Sequence, residues 1–235
     1  QAQANGSYPP LMKNQEVIEV PVAQDTMTRR LTDYAVSFIR SNAGKRPFFL
    51  YFAHSMPHVP LHTDINFKGI SGKGIYADVI QEIDWSVGQI VSALSRHGVR
   101  DNTLIFFLSD NGPWRSYGNH GGNSGGLRGG KFDVWEGGFK VPAIASWPAR
   151  MPRGKVNNHI ISTIDILPTL ADIAGTKPSG RTIDGVNIIE SLTGGVTDEL
   201  GSRHLYYFLG SQLAAVRKSQ WKYVFEHTGH TVLEL

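Results

Sequence analysis

Tyr76, Val79, Ile80, Ile83, Val87, Ile90, Val91 and Leu94 recur at the spacing of one helix face, and Gly98 stands where such a helix would stop. The run "TLIFFLS" follows, apolar at consecutive positions, as expected of a strand covered on both faces of a sheet. The same order occurs earlier. Leu31, Ala35, Phe38 and Ile39 mark a helix from Thr28 that Gly44 would end, and Pro47 then opens "FFLYFA", short and aromatic enough for a buried strand. A further strand is read at "VPAIASW", from Val141, and a short helix at "DILPTLADIAG", with Pro168 in its first turn. Helices alternating with strands predict an α/β fold with a mostly parallel sheet flanked by helices. After Gly194-Gly195 the texture changes. "HLYYFL", "LAAVRKS" and "WKYVFE" follow closely and suit a small antiparallel sheet, so a boundary is expected near Asp198, with 1–197 as one body and 198–235 as the start of another.

The 235 residues are 40% apolar and 18% charged, the balance of a soluble globular chain rather than a disordered one. A net charge of +3 favours anionic substrates but is too diffuse to indicate nucleic acid. The longest apolar runs fall short of the roughly 18 to 20 residues that cross a bilayer, so no membrane span is expected. Cysteine is absent, which removes disulfides, thiolate metal sites and a cysteine nucleophile. The opening "QAQANGSYPPLMKNQ" has neither an initiating Met nor a signal-like apolar stretch, and the chain reads as a mature product or a fragment.

Three places could carry chemistry. In open α/β sheets ligands gather beyond the carboxyl ends of strands, where Asp110 and Asn111 follow "TLIFFLS". A carboxylate beside an amide oxygen suits a hard cation, calcium or magnesium, rather than zinc, although Asp-Asn-Gly is equally a turn sequence. A cation of this kind takes roughly six to eight oxygens, and the pair offers two or three, so further ligands would have to come from elsewhere. His58 lies just past "FFLYFA" between Pro57 and Pro60, which restrict its backbone. So held, it could serve as a proton donor near neutral pH, or be an ordinary loop histidine. Lys131 ends "GGLRGGK", in a glycine-dense loop too long for a simple turn. The string begins like a phosphate-cradling P-loop, but Phe132 replaces the required hydroxyl and no strand precedes it, which excludes a nucleotide site. What remains is a lysine, with Arg128 near it, where backbone amides can approach an anion, or else a solvated loop.

Together "RPFFLYFAHSMPHVPLH", "YADVIQEIDWSVGQI", "DNTLIFFLSDNGPW", "GLRGGKFDVWEGGFKVPAIASWP", "STIDILPTLADIAG", "IDGVNI" and "AVRKSQWKYVF" resemble, in order, the sulfatase family, in its arylsulfatase A and N-acetylgalactosamine-6-sulfatase-like branch of the alkaline phosphatase superfamily. The resemblance implies that Asp110 and Asn111 ligate a divalent cation, usually calcium. It implies that His58 contacts the sulfate and protonates the departing alcohol, and that Lys131 binds a sulfate oxygen. His120, Arg128 and Trp114, on the same loop, would shape the substrate pocket. The family further implies a formylglycine nucleophile, a sulfated small molecule or carbohydrate as substrate, and a secreted, periplasmic or lysosomal setting.

The departures matter too. The family's nucleophile arises from Cys or Ser in a Cys/Ser-x-Pro/Ala-Ser-Arg pattern that this chain lacks, as it lacks the upstream acidic metal-binding pair. The expectation is therefore a carboxy-terminal part of a sulfatase, inactive and poorly soluble alone, with half of an active site. Two alternatives accompany it: a phosphomonoester or phosphodiester hydrolase of the same superfamily, and a non-catalytic sulfatase-like binding module.

Overall fold

The computed structural model describes residues 9–178, 180–195, 199–226 and 229–234. Asp198, the expected boundary, lies outside them. The chain divides into two units, Gln1–Arg100 with Ser116–Gly122, and Asp101–Arg115 with Asn123–Leu235.

In the first unit an antiparallel hairpin, β1 (Leu11–Lys13) and β2 (Glu16–Glu19), precedes two helices, α1 (Met27–Asn42) and α2 (Ile75–Arg96). The helices pack on each other. They bury Ala35 and Ile39 of α1 and Val79, Ile83 and Leu94 of α2, as expected from apolar spacing, and Ala93 besides, while Phe38 and Ile80 of the expected faces are 36% and 41% exposed. Inside this interface Thr32 Oγ1 donates to the Thr28 carbonyl (2.6 Å) and lies 2.5 Å from Ser86 Oγ, so both hydroxyls are satisfied. Gly98 ends α2 as expected: at φ +67° it lets its own N–H reach the Ser95 carbonyl and the Val99 N–H reach the Leu94 carbonyl.

The segment 48–53 departs from expectation. It takes no regular secondary structure, no ladder joins it to another strand among the described residues, and Phe49 and Tyr51 are 68% and 82% exposed. Aromatic composition favours extended backbone, whereas a strand also needs a hydrogen-bonding neighbour, which composition does not supply.

The second unit begins with β3 (Ile105–Leu108) and continues through the short α3 (Glu136–Phe139) into β4 (Ala143–Ser146). Further on come α4 (Ile166–Ile173), α5 (Ile189–Thr193), α6 (Glu199–Ser202) and a four-stranded sheet, β5 (His204–Leu209), β6 (Gln212–Lys218), β7 (Trp221–Glu226) and β8 (Gly229–Glu234). β3 and β4 pair antiparallel, with Phe106 opposite Ala145. Every ladder among the described residues is antiparallel, so the parallel pairing expected of the main sheet is not seen among them. The connection from β3 to β4 carries the glycine loop and one turn of helix, α3. One face of the pair is covered: Phe106 and Ala145 pack on the buried Ile188, Leu192 and Leu200. The other is open, with Phe107 at 38% and Ile144 at 64% exposure, contrary to a strand covered on both sides.

A buried charge cluster ties α3 to the four-stranded sheet. Lys222, fully buried, donates to Glu136 Oε1 (3.0 Å), and Arg217 donates to Glu136 Oε2 (2.8 Å). The ammonium also sits 3.8 Å from the centre of the Tyr207 ring. Burial holds the Lys222 pKa below the usual lysine value, against the opposing pull of Glu136.

Candidate active site

At the end of β3 the chain is held by its backbone. Ser109 Oγ donates to the Asn111 carbonyl (2.9 Å), and the Gly112 N–H donates to the Gly138 carbonyl (2.9 Å). The Lys131 N–H donates to the Pro113 carbonyl (2.8 Å), and the Gly137 N–H to the Arg128 carbonyl (2.7 Å). These contacts leave no room for side chains. A Cβ on Gly112 would lie 1.8 Å from the Gly137 carbonyl oxygen, one on Gly130 2.5 Å from that of Pro113, and one on Gly138 2.2 Å from that of Asp133. The glycines of "DNG", "GGK" and "EGG" thus bring three stretches of backbone into direct contact.

The strand-end side chains remain available for a ligand. Asn111 Nδ2 donates to the Gly112 carbonyl (3.0 Å), which spends the amide nitrogen and leaves Oδ1 as an acceptor. Asp110 is exposed, and its carboxylate makes no hydrogen bond or ion pair among the described residues. Lys131 makes the Pro113 contact with its own N–H and lies in a loop closed on both sides of it. Gly130 donates its N–H to Asp133 Oδ2 (2.8 Å), and the Asp133 N–H donates to the Gly130 carbonyl (2.9 Å). The Lys131 ammonium lies 5.0 Å from the Trp114 ring centre and 5.5 Å from that of Phe132. Arg128 is directed elsewhere: its guanidinium lies over the Trp135 ring at 3.3 Å.

His58 and His120 belong to the first unit. The His58 loop is anchored by side chains, with Met56, Val59 and Leu61 all buried on either side of it. The peptide bonds before Pro57 and Pro60 are cis. His58 Nδ1 lies 2.7 Å from the Val59 carbonyl oxygen, which can only accept, so Nδ1 carries the hydrogen and Nε2 is where the ring gains or loses a proton. His62 Nδ1 pairs with Asp25 at 2.7 Å. His54 packs 4.4 Å from the Phe52 ring, both its nitrogens are buried without a partner among the described residues, and burial lowers its pKa, which keeps it neutral. His120 ends a 3₁₀ segment, Arg115–His120, and is exposed. That loop is seated by Tyr76, whose hydroxyl would be 2.5 Å from a Cβ on Gly122.

The sequence matches the Sulfatase family profile over residues 2–176, about three quarters of the chain. The chain belongs to the sulfatase family. It is 39% identical over 208 residues to N-acetylgalactosamine-6-sulfatase of Canis lupus familiaris, covering 87% of this chain and 39% of that protein. To human steryl-sulfatase it is 37% identical over 227 residues, covering 92% and 39%. The crystal structure of Ps i-CgsB in complex with k-i-k-neocarrahexaose superposes with a TM-score of 0.82 at 29% identity, covering 99% of this chain and 54% of that one. The fold is therefore the alkaline-phosphatase-like α/β fold of sulfatases, with small antiparallel sheets toward the carboxyl end. This sulfatase chain spans about two fifths of the length of the curated relatives it matches.

Asp110 and Asn111 fit a hard divalent cation in kind, one anionic and one neutral oxygen, but not in number. No group of three or more His, Cys, Asp or Glu side chains is placed to hold a metal among the described residues. Reading the sequence alone missed the residues that fix this candidate site. Asp133 locks the turn around Lys131, and Glu136, through its pairs with Lys222 and Arg217, holds the Gly137–Gly138 backbone on which Gly112 rests. The repeated pairing of glycine with a charged neighbour in "GGK" and "EGG" was the available signal, but a glycine's partner 25 residues away is not written beside it.

Proposed function

We propose that this chain contributes His58, Asp110, Asn111 and Lys131 to a hydrolase of sulfate esters that depends on a divalent cation, calcium or magnesium, and on formylglycine. The observation that carries the reading is the end of β3, where a sulfatase-family sequence leaves the Asp110 carboxylate and Asn111 Oδ1 uncommitted and ties the Lys131 loop to the Pro113 carbonyl two residues on. When bound, the cation supplies charge stabilisation at the sulfate oxygens and formylglycine the covalent nucleophile. Asp110 and Asn111 offer that cation two of its oxygens. The Lys131 ammonium binds a sulfate oxygen and offsets charge that grows as the ester S–O bond breaks. His58, with Nδ1–H fixed on the Val59 carbonyl, delivers a proton from Nε2 to the departing alcohol oxygen.

The substrate class we assign is a sulfated carbohydrate or small molecule, supported by the names of the relatives and by the oligosaccharide bound to Ps i-CgsB. A secreted, periplasmic or lysosomal setting accords with that class, and no helix among the described residues is long and apolar enough to cross a membrane. Alone, the chain is expected to be inactive. The test compares 4-nitrophenyl sulfate and 4-nitrophenyl phosphate, with calcium present, for this chain and for the full-length protein. Turnover of the sulfate by the full-length protein only is the expected result. Turnover by this chain alone would refute the shared site, and preference for the phosphate would favour a phosphoester hydrolase.

A further inference from the structure

Gly130, Lys131, Phe132 and Asp133 form a turn closed by the Asp133 N–H on the Gly130 carbonyl, and Phe132, its third residue, takes φ +75°. That is the position and sign of φ at which such turns call for glycine. The surrounding loop is full of glycine, yet here the chain has a bulky aromatic residue in a backbone conformation that is costly for it. Nor is the ring buried: Phe132 is 67% exposed. What the strained backbone achieves is placement. The ring stands edge-on to Trp114, with centres 5.5 Å apart and planes at 87°, and the Lys131 ammonium lies over the Phe132 ring at 5.5 Å.

We infer that Phe132, braced by Trp114, is a platform for the sugar ring that carries the sulfate, and is thus a specificity-determining residue beside the sulfate-binding Lys131. An exposed aromatic face a few ångströms from the ammonium offers the apolar face of a sugar ring a stacking surface once a sulfate oxygen is held. The inference rests on the sulfatase reading of Lys131.

The test uses the full-length protein and the variants Phe132→Gly and Phe132→Tyr, with N-acetylgalactosamine 6-sulfate and ethyl sulfate as substrates and inorganic sulfate as inhibitor. Phe132→Gly is expected to raise KM for the sugar sulfate about fivefold, with kcat within about twofold, because a ring contact made equally in ground and transition states affects KM alone. KM for ethyl sulfate and inhibition by inorganic sulfate should stay within about twofold, and the melting temperature should hold or rise, since glycine relieves the backbone strain. Phe132→Tyr keeps the face and should keep the KM. An unchanged sugar KM in Phe132→Gly would overturn the platform, as would an equal loss for ethyl and inorganic sulfate, which would mean that the ring only steadies Lys131. If the unsubstituted protein hydrolyses no sulfate ester, the sulfatase reading itself fails and the platform falls with it.

Discussion

The loops that carry His58 and Lys131 are held by opposite means. Around His58 the anchors are side chains: Met56, Val59 and Leu61 are buried, Thr63 Oγ1 and the Asp64 N–H donate to Glu82 Oε2 (2.8 and 3.0 Å), and Asp64 accepts from Arg29 (2.8 Å). Around Lys131 the anchors are backbone groups, brought together because Gly112, Gly130, Gly137 and Gly138 have nothing to interpose. Side-chain anchoring is divisible, since each contact can weaken separately. Backbone contact is not, because one methyl group in the wrong place separates two stretches of chain at once.

Gly112→Ala tests that contrast most severely. Its Cβ would meet the Gly137 carbonyl oxygen at 1.8 Å, so the two stretches must part, and we expect about 4 kcal/mol or more of lost stability in urea unfolding, with loss of activity in the full-length protein. A loss under about 1 kcal/mol would show that the backbone stack is loose. Next comes Glu136→Ala, which leaves Lys222 buried without its carboxylate; about 3 kcal/mol should be lost, and Glu136→Ala with Lys222→Met should recover much of it. If the double variant were no more stable than the single one, the pair would not be what holds α3 to the sheet.

The smallest effect belongs to the first unit. Hydrogen bonding from Arg29 and the Asn66 backbone holds the Asp64 carboxyl at a pKa of about 2, below its ordinary 3.8. A depressed carboxyl pKa stabilises the fold above the unfolded value and ceases to do so as pH falls through the folded one. Asp64→Asn should therefore cost about 1 kcal/mol at pH 7, discounted because Arg29 is half-exposed, and the gap from the parent should close as pH falls from about 4 to about 2. A gap that persisted at pH 2 would assign the effect to packing instead of charge.

These contrasts also explain what could be read from the sequence. α1 and α2 were legible because helix faces are local: Ala35, Ile39, Val79, Ile83 and Leu94 repeat at intervals that one helix imposes, Gly98 carries the positive φ that ends α2, and Gly44, at φ +71°, sits in the turn just after α1. The closely spaced strands after Gly194-Gly195 were legible for the same reason, as hairpin neighbours along the chain. The segment 48–53 pairs with no strand among the described residues because pairing depends on a partner that composition does not name, and the antiparallel pairing of β3 with β4 was not read from the sequence at all. In the site, the proposed roles of Asp110, Asn111 and Lys131 were read from residue type and position. The purpose of the glycines was not. They read as room for an anion, whereas Gly112, Gly130, Gly137 and Gly138 make room for other backbone. Glu136 and Lys222, 86 residues apart, carry no sign in the sequence that the fold pairs them.

Whether the end of β3 is a cation site can be measured without turnover. Calorimetric titration of the full-length protein with calcium, repeated on Asp110→Ala and Asn111→Ala, should show affinity weakened at least about tenfold by each substitution, with the melting temperature of the calcium-free protein little changed. Calcium affinity unaltered in both variants would contradict the assignment of these two side chains as ligands.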